Sequence, residues 1–431
     1  MNKDYTPAKR WIRVLPPIMI ACIVSYMDRV NIGFGIAGGM LSSLDMTASF
    51  AGLAGGIFFI GYLVLQVPAG QISVFGNGKK FIAWSLVSWF AISVLTGLIT
   101  NKYELLALRF LLGVAEGGML PVMLSIIANW FPDHERSRAN AIMILFVPIA
   151  GMITAPLSGG ILAYLNWRWL YIIEGCICLP GLIYWLFAID NRPSEAKWVS
   201  PAEKKYVVTL LEKERALHNQ ADGTQKSLLS KVFKVSLFWK LIILNFFYQT
   251  GVYGYTLWLP TIIKHLTHTS IGKVGLLSTV PFIAMMIGML LVAYLSDKTS
   301  LRRVFVIIPL ALFAVCLLFS IYFRDNVVVA YVFLIGCGAC LQAPAGVFWT
   351  IPTMAFPSEV VGGARGAINA LGNLGGFFGP FMFGFLLQHY SESAGIFCLF
   401  IALAIATALA FTLPKTGRKK AVALQTQEEI A

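Results

Sequence analysis

The sequence predicts an all-α integral membrane protein, with twelve transmembrane helices arranged as two six-helix bundles. Composition is the first observation behind this. Of 431 residues, 58% are hydrophobic and 12% charged, with a mean hydropathy of +0.76, against about 45–50% apolar and 25% charged in soluble domains. Segment length is the second. The apolar stretches run to about 20 residues or more, enough for a helix to cross a hydrocarbon core roughly 30 Å thick, and the short alternating segments of a β-barrel are absent. The third is internal repetition. Gly151, Pro156 and Gly160 recur as Gly375, Pro380 and Gly384, and Phe131-Pro132 recurs as Phe356-Pro357, at nearly one offset of about 224 residues. Duplication of a six-helix unit explains that register.

The spans read as 14–36, 49–73, 81–100, 104–128, 138–163, 168–189, 239–263, 272–295, 304–323, 327–354, 363–388 and 393–413. Only 190–238 is long and polar. The expected organisation is therefore an N-terminal bundle over 1–190, a cytoplasmic central loop over 191–238, and a C-terminal bundle over 239–431 ending in a short basic tail. The basic N-terminus followed by an apolar run is not read as a secretory signal. The run is too long, holds Asp28-Arg29 and lacks a small-x-small cleavage site, so it is a retained first span.

With both termini in the cytoplasm, inside segments hold about 26 of the 33 Lys and Arg, and outside segments keep Lys102, Arg168, Lys264, Lys273 and Arg324. That bias follows the positive-inside rule. The net charge of +13 thus reports topology and contact with anionic membrane lipid rather than nucleic acid.

Asp28 and Arg29 sit together deep in the first span. Ionised groups at that depth are costly unless they face each other, a partner helix or a wet cavity. After the second span comes Gly70-Gln-Ile-Ser-Val74-Phe75-Gly-Asn77-Gly-Lys79-Lys80, and after the eighth its counterpart Ala293-Tyr-Leu-Ser-Asp297-Lys298-Thr-Ser300-Leu-Arg302-Arg303. In the fourth span Arg109 and Glu116 are seven residues apart, two turns and about 10 Å along one face. They present a cation and an acid to the same neighbour, and where the first and fourth spans both line a central cavity, as the resemblance to a transporter fold given below implies, Asp28, Arg29, Arg109 and Glu116 form one cluster. Burial favours a protonated carboxyl and a nearby guanidinium favours the anion, so substrate binding or helix movement can switch which dominates. Glu116 is the first candidate for a carried proton and Asp28 the second. The alternative is a permanent structural salt bridge. Glu174, near the start of the sixth span, reads as an interfacial or structural acid. Arg29 is the natural anion site, because guanidinium stays charged and grips a carboxylate with two parallel bonds.

In the central loop, Ser200-Pro201-Ala202-Glu203 is a capping box that starts a helix running to about Leu217. Ser227 to Lys240 reads as an amphipathic piece on the inner leaflet. All seven cysteines fall in apolar spans. Cys337-Gly-Ala-Cys340 has redox spacing, but no His cluster supports it, and small thiols packing between helices is the better reading. No cofactor is implied, and no nucleophile-base pair or metal cluster suggests an enzyme.

The Gly-x-x-x-Asp-(Arg/Lys)-x-Gly-x-(Arg/Lys)-(Arg/Lys) loop and the paired halves resemble the major facilitator superfamily over essentially the whole chain. The first copy departs from that pattern at Val74 and Phe75. The second keeps Asp297 and Lys298 but replaces both glycines. The resemblance gives Asp297 a gating role, accepting hydrogen bonds from the start of the fifth span or pairing with Arg136 or Arg138 across the bundle interface. A solvated turn acid is the alternative.

A narrower resemblance, to the anion:cation symporter family, lies in Tyr26-Met-Asp28-Arg29-Val-Asn31-Ile-Gly33-Phe, Arg109-Phe-Leu-Leu-Gly113-Val-Ala-Glu116-Gly and Trp130-Phe-Pro132. Trp167-Arg168-Trp169 with Glu174-Gly175, and Gly366-Ala-Ile-Asn369-Ala-Leu-Gly372-Asn373-Leu-Gly375-Gly376, also carry it. It implies proton-coupled uptake of a small organic anion by alternating access: a sugar acid, a hydroxy acid such as tartrate, or an aromatic carboxylate. Arg29 and Tyr26 then match the substrate site, as do Tyr62, Gln249, Trp349 and Asn369. Asp28 and Glu116 match the protonation sites, and Arg109 the base that pairs with them. For Tyr62 and Trp349 helix packing, and for Gln249 and Asn369 an interhelical hydrogen bond, remain alternatives. Val147, where sugar-acid carriers of this kind can place an amide, favours a less polar or aromatic carboxylate. The expected setting is a monomer in a bacterial inner membrane. The rival readings are an exporter of lipophilic compounds and a membrane sensor of organic acids without net flux.

Overall fold

The computed structural model describes residues 8–75, 77–218 and 232–414. Besides a helix in the central loop, they contain twelve long helical stretches: α1 Lys9–Ser43, α2 Ala48–Phe75, α3 Gly78–Leu98, α4 Lys102–Trp130, α5 Asp133–Tyr164, α6 Trp167–Ala188, α7 Ser236–Thr267, α8 Ile271–Thr299, α9 Val304–Tyr322, α10 Val327–Ala355, α11 Val360–His389 and α12 Glu392–Ala410. Polar side chains fix several starts. Asn101 accepts from the backbone of Tyr103 and Glu104 while Glu104 reaches back, a complete capping box at α4.

Eleven of these helices are long and apolar enough to cross a membrane. The exception is α7, which Asn245, Gln249, Thr250 and Thr256 make too polar by hydropathy alone. Asn245, Thr250 and Thr256 are nevertheless buried, so this polarity faces protein instead of lipid, where polar groups in spans are found. At 32 residues α7 is also long enough to cross.

The repeat extends to irregularities in the helices. α4 breaks at Gly118 and α10 at Gln342, positions separated by the same offset as the repeated motifs. A second pair of breaks falls at Leu145 in α5 and Asn373 in α11. Near its end α1 loses regular winding over Ile36–Met40, where Gly39 takes φ +102°, a left-handed conformation suited to glycine.

The two halves close against each other at the end that carries few basic residues. Lys264 Nζ, on α7, donates to the Ala37 carbonyl of α1 at 2.6 Å. The backbone N–H of Ser49 on α2 donates to Gln388 Oε1 of α11 at 3.2 Å. Between α5 and α8, Gly159 packs on Gly275 so closely that an added Cβ would lie 2.7 Å from the Gly275 Cα, an approach only small residues allow.

At the opposite, basic-rich end the expected cross-bundle contact is not formed. Asp297 pairs with Arg302 of its own half at 2.5 Å. Arg136 pairs with Asp133 and, at 2.9 Å, with Glu214. The Arg138 guanidinium lies 5.4 Å from the Trp11 ring. Asp297, whose side chain is 71% exposed, matches in this structure the alternative of a solvated turn acid.

The central-loop helix forms as expected, over Pro201–His218. The capping box is half used: Ser200 Oγ accepts from the Glu203 N–H at 3.2 Å, but the Glu203 carboxylate turns to Arg10, 3.5 Å away. Arg10 is fully buried, donating to the Trp130 carbonyl at 2.7 Å and to Glu135 at 2.6 Å. Trp198 stacks on Trp130 with centroids 5.1 Å apart. The helix is thereby pinned to the N-terminal bundle. Arg10→Ala strands two carboxylates, and its expected cost is about 3–5 kcal/mol, to be read as a lowered Tm of the purified protein. Of the expected amphipathic piece, the part before Val232 lies outside the described residues, as do Gly76 of the first loop motif, Lys3 and the basic tail from Lys415 onward.

Candidate functional site

Helix α1 crosses the N-terminal bundle with Tyr26, Asp28 and Arg29 at mid-depth, and α4 brings Arg109 and Glu116 against it. The spacing works as the sequence predicts, since both α4 side chains reach α1. Their partners differ from the expected ones. Glu116 Oε2 accepts from Arg29 Nη2 at 2.7 Å, whereas Arg109 Nη1 donates to the backbone carbonyl of Asp28 at 2.8 Å. Arg109 thus fixes the α1 backbone, and the acid expected beside Arg109 pairs with the anion-site arginine. Gly113 lets α4 press against α2, because a Cβ there would lie 2.0 Å from the Phe58 carbonyl of α2.

The Arg29 guanidinium is wrapped by rings. Its carbon lies 4.9 Å from the Phe58 centroid, 5.3 Å from Tyr62 and 5.6 Å from Tyr26, within the range of cation–π attraction. The Tyr253 hydroxyl of α7 approaches Arg29 Nη1 at 3.4 Å. Tyr26, Arg29, Phe58, Phe59, Arg109 and Tyr253 line a cavity between the two halves, with Thr256 and Leu257 from α7 and Pro380 from α11. The Arg29 side chain retains 14% exposure while Glu116 has none, so the cation faces the cavity and the acid lies behind it.

Asp28 points away from Arg29. Its Oδ1 accepts from Ser93 Oγ at 3.0 Å and from Asn31 Nδ2 at 3.3 Å. Glu174 has the setting of a structural acid: it is 2% exposed, and its Oε1 accepts from Ser158 Oγ of α5 at 2.7 Å. It lies two turns into α6 on the helix's buried side, with Leu170, Tyr171 and Cys178.

Gln249, Trp349 and Asn369 are not among the residues lining the cavity around Arg29. Gln249 Nε2 donates to Asn373 Oδ1 at 2.9 Å, joining α7 to the break in α11 through Asn373 instead of Asn369. Trp349 sits at a break in α10 with the Arg365 guanidinium 5.6 Å from its ring. Tyr253, Phe58 and Ser93 escaped the sequence reading. Tyr253 had a usable signal, one turn beyond Gln249 on the most polar span.

The profile of the Major Facilitator Superfamily matches residues 18–380, with a second match over 261–429. The chain belongs to that superfamily. This is a family of membrane transporters and not of enzymes, and the protein is a multi-pass membrane protein. Among its relatives is a protein of Agrobacterium vitis named "Putative tartrate transporter", 31% identical, with 98% of this chain and 99% of that protein covered. Another is "Quinolone resistance transporter" of Acinetobacter baumannii, 30% identical, with 97% of each covered. The inward-open structure of the xylose transporter XylE from E. coli superposes with a TM-score of 0.75 at 15% identity, over 96% of this chain and 99% of that one. That likeness concerns the fold alone.

Proposed function

We propose that this transporter takes up a small organic anion into a bacterial cell together with protons, by alternating access. The observation that carries the reading is the Arg29–Glu116 pair, 2.7 Å apart at the wall of the central cavity. An incoming carboxylate competes with Glu116 for the same guanidinium. Once displaced, Glu116 is a buried carboxylate without its cation, and taking a proton removes that charge. Binding of anion and proton are then one event, and release of both on the other side reverses it. Asp28 is the second proton site, and Arg109 holds the α1 backbone on which both depend. Tyr26 and Tyr62 orient the bound anion. Gln249, Trp349 and Asn369 belong to the same site in a conformation where α10 and α11 stand nearer to α1, and Asp297 with Arg136 or Arg138 closes the basic-rich end.

The distribution of Lys and Arg supports a cytoplasmic position for that end and both termini, with the end closed in this structure then the outer one. The tartrate name of one relative supports a hydroxy acid. The aromatic lining around Arg29, together with Val147, supports a substrate with a flatter, less hydroxylated body, and an aromatic monocarboxylate fits both the cation and the rings. The name of the quinolone-resistance relative favours a second reading, export of lipophilic compounds.

Reconstituted vesicles with an acidic exterior separate these readings. Benzoate is expected to accumulate inside, tartrate less so, and a protonophore to abolish the gradient. Accumulation of a quinolone in inverted vesicles, with no carboxylate uptake, would establish the exporter. Binding of an acid without flux would establish a sensor.

A further inference from the structure

Arg365 has no part in the scheme above. It lies on α11 one turn before Asn369, and it makes no hydrogen bond or ion pair with any described residue. Arg29 and Arg109, by contrast, both donate to protein acceptors. What Arg365 meets is a ring: its guanidinium carbon lies 5.6 Å from the centroid of Trp349, at the break in α10, within the range of cation–π attraction. The Trp349 indole N–H likewise has no acceptor among the described residues. Two unspent donors, one of them charged, therefore stand together.

The space beside them is open. A Cβ added at Gly346 of α10, or at Gly362 or Gly366 of α11, would meet nothing within 4 Å. The surface is not of the kind that meets lipid. Over 343–370 the exposed described residues are Gly346, Thr353, Gly362, Gly363, Arg365 and Gly366, and no large hydrophobic residue is exposed among the described ones between Val332 and Leu371. A lipid-facing stretch reads differently, as α8 does with Ile287, Leu290, Leu291 and Tyr294 exposed. A cation set among glycines on such a surface faces water. This half of α11 packs on α7 and touches α2 of the other bundle, so the patch borders the cleft between the halves at the basic-rich end. By helix rise it stands roughly 20 Å along α11 from Pro380 of the Arg29 cavity, too far to belong to that cavity.

We propose that Arg365 and Trp349 form a second anion site at the basic-rich mouth of the cleft, one that takes a monocarboxylate with an aromatic body. The guanidinium holds the carboxylate through two parallel bonds, and the neighbouring indole meets the flat body. The site receives the anion that leaves Arg29. That place in transport rests on the carrier reading; the binding itself does not. Trp349, given above to the Arg29 site in another conformation, then meets the anion at both stations.

The test uses the purified full chain in a neutral detergent, with fluorine-labelled tryptophan and no flux. The fluorine NMR resonance missing from Trp349→Phe identifies Trp349. Benzoate is expected to move that resonance in the parent, and equally in Arg29→Ala combined with Glu116→Gln, where the first site is lost and no acid is stranded. Arg365→Gln, which breaks no hydrogen bond, is expected to raise the benzoate concentration required by about tenfold or more, the worth of one charge-assisted contact. Benzamide, neutral and of nearly the same shape, is expected to leave the resonance in place. The site is overturned if the resonance stays still in the doubly substituted protein, if Arg365→Gln responds at the parent's benzoate concentrations, or if benzamide acts as benzoate does. A response to added phosphatidylglycerol and none to benzoate would assign Arg365 to the lipid headgroups and likewise overturn it. Absence of uptake in vesicles with these shifts intact would strike the transport reading alone.

Discussion

Arg29→Ala is expected to reduce uptake of the carboxylate substrate by two to three orders of magnitude. A charge-assisted, bidentate contact in a dry site is worth several kcal/mol, and about 1.4 kcal/mol is a factor of ten. Arg29→Lys is expected to recover little of this. Lysine keeps the charge but lacks the planar fork, and an ammonium is harder to desolvate between the Phe58 and Tyr62 rings than a guanidinium that stacks on them. The effect should appear in initial uptake rates and in equilibrium binding alike, since the arginine contacts the substrate. Removal of Arg29 also leaves Glu116 buried without a partner, so the variant is expected to lose stability, measured as a lower Tm that recovers when Glu116→Gln is added.

Glu116→Gln is the second large effect, and it separates coupling from binding. The amide keeps the shape of the acid and can still accept a hydrogen bond from Arg29, but it cannot exchange a proton in this pH range. Acid-driven accumulation is expected to fall to the level of simple equilibration, while exchange of labelled for unlabelled substrate across the membrane continues. Because neutral Gln competes less well for Arg29 than a carboxylate, substrate binding should be retained or tightened. Undiminished accumulation under a pH gradient would remove Glu116 from the coupling step.

Much of this was legible in the sequence because membranes simplify the problem. A helix must be apolar over its whole crossing, so composition and length marked the spans, and any ionisable residue inside one stood out. The seven-residue spacing of Arg109 and Glu116 correctly placed both on the face toward α1. Which cation met which acid was not legible, because that depends on helix rotation and depth at the level of a single turn: Glu116 took Arg29, and Arg109 took a backbone carbonyl that sequence reasoning does not weigh. Glu174 read as an interfacial or structural acid because it lies near the start of its span, and the structure gives it a structural setting. The helix starts at an exposed turn, and two turns on Glu174 is 2% exposed, hydrogen-bonded to Ser158. Asp297 and Arg136 illustrate a different limit. Each finds a nearer partner, Arg302 for Asp297 and Asp133 with Glu214 for Arg136, and a sequence does not show which of several charged neighbours a side chain will meet.

The same limit applies to Gln249 and Asn369. Both lie on helices bordering the cavity, but the break in α11 carries Asn373, four residues on, to the amide of Gln249. The sequence marked the helices and not the turn of each that meets its partner.

The central claim is that substrate and Glu116 compete for Arg29 and that the displaced acid takes up a proton. It is tested most directly by measuring proton uptake when a carboxylate identified in the vesicle assay binds to purified protein in weakly buffered solution at neutral pH. The account predicts that binding draws about one proton from solution in the parent chain and none in Glu116→Gln. Binding with no change in proton content in the parent, or with the same change in both proteins, would contradict it.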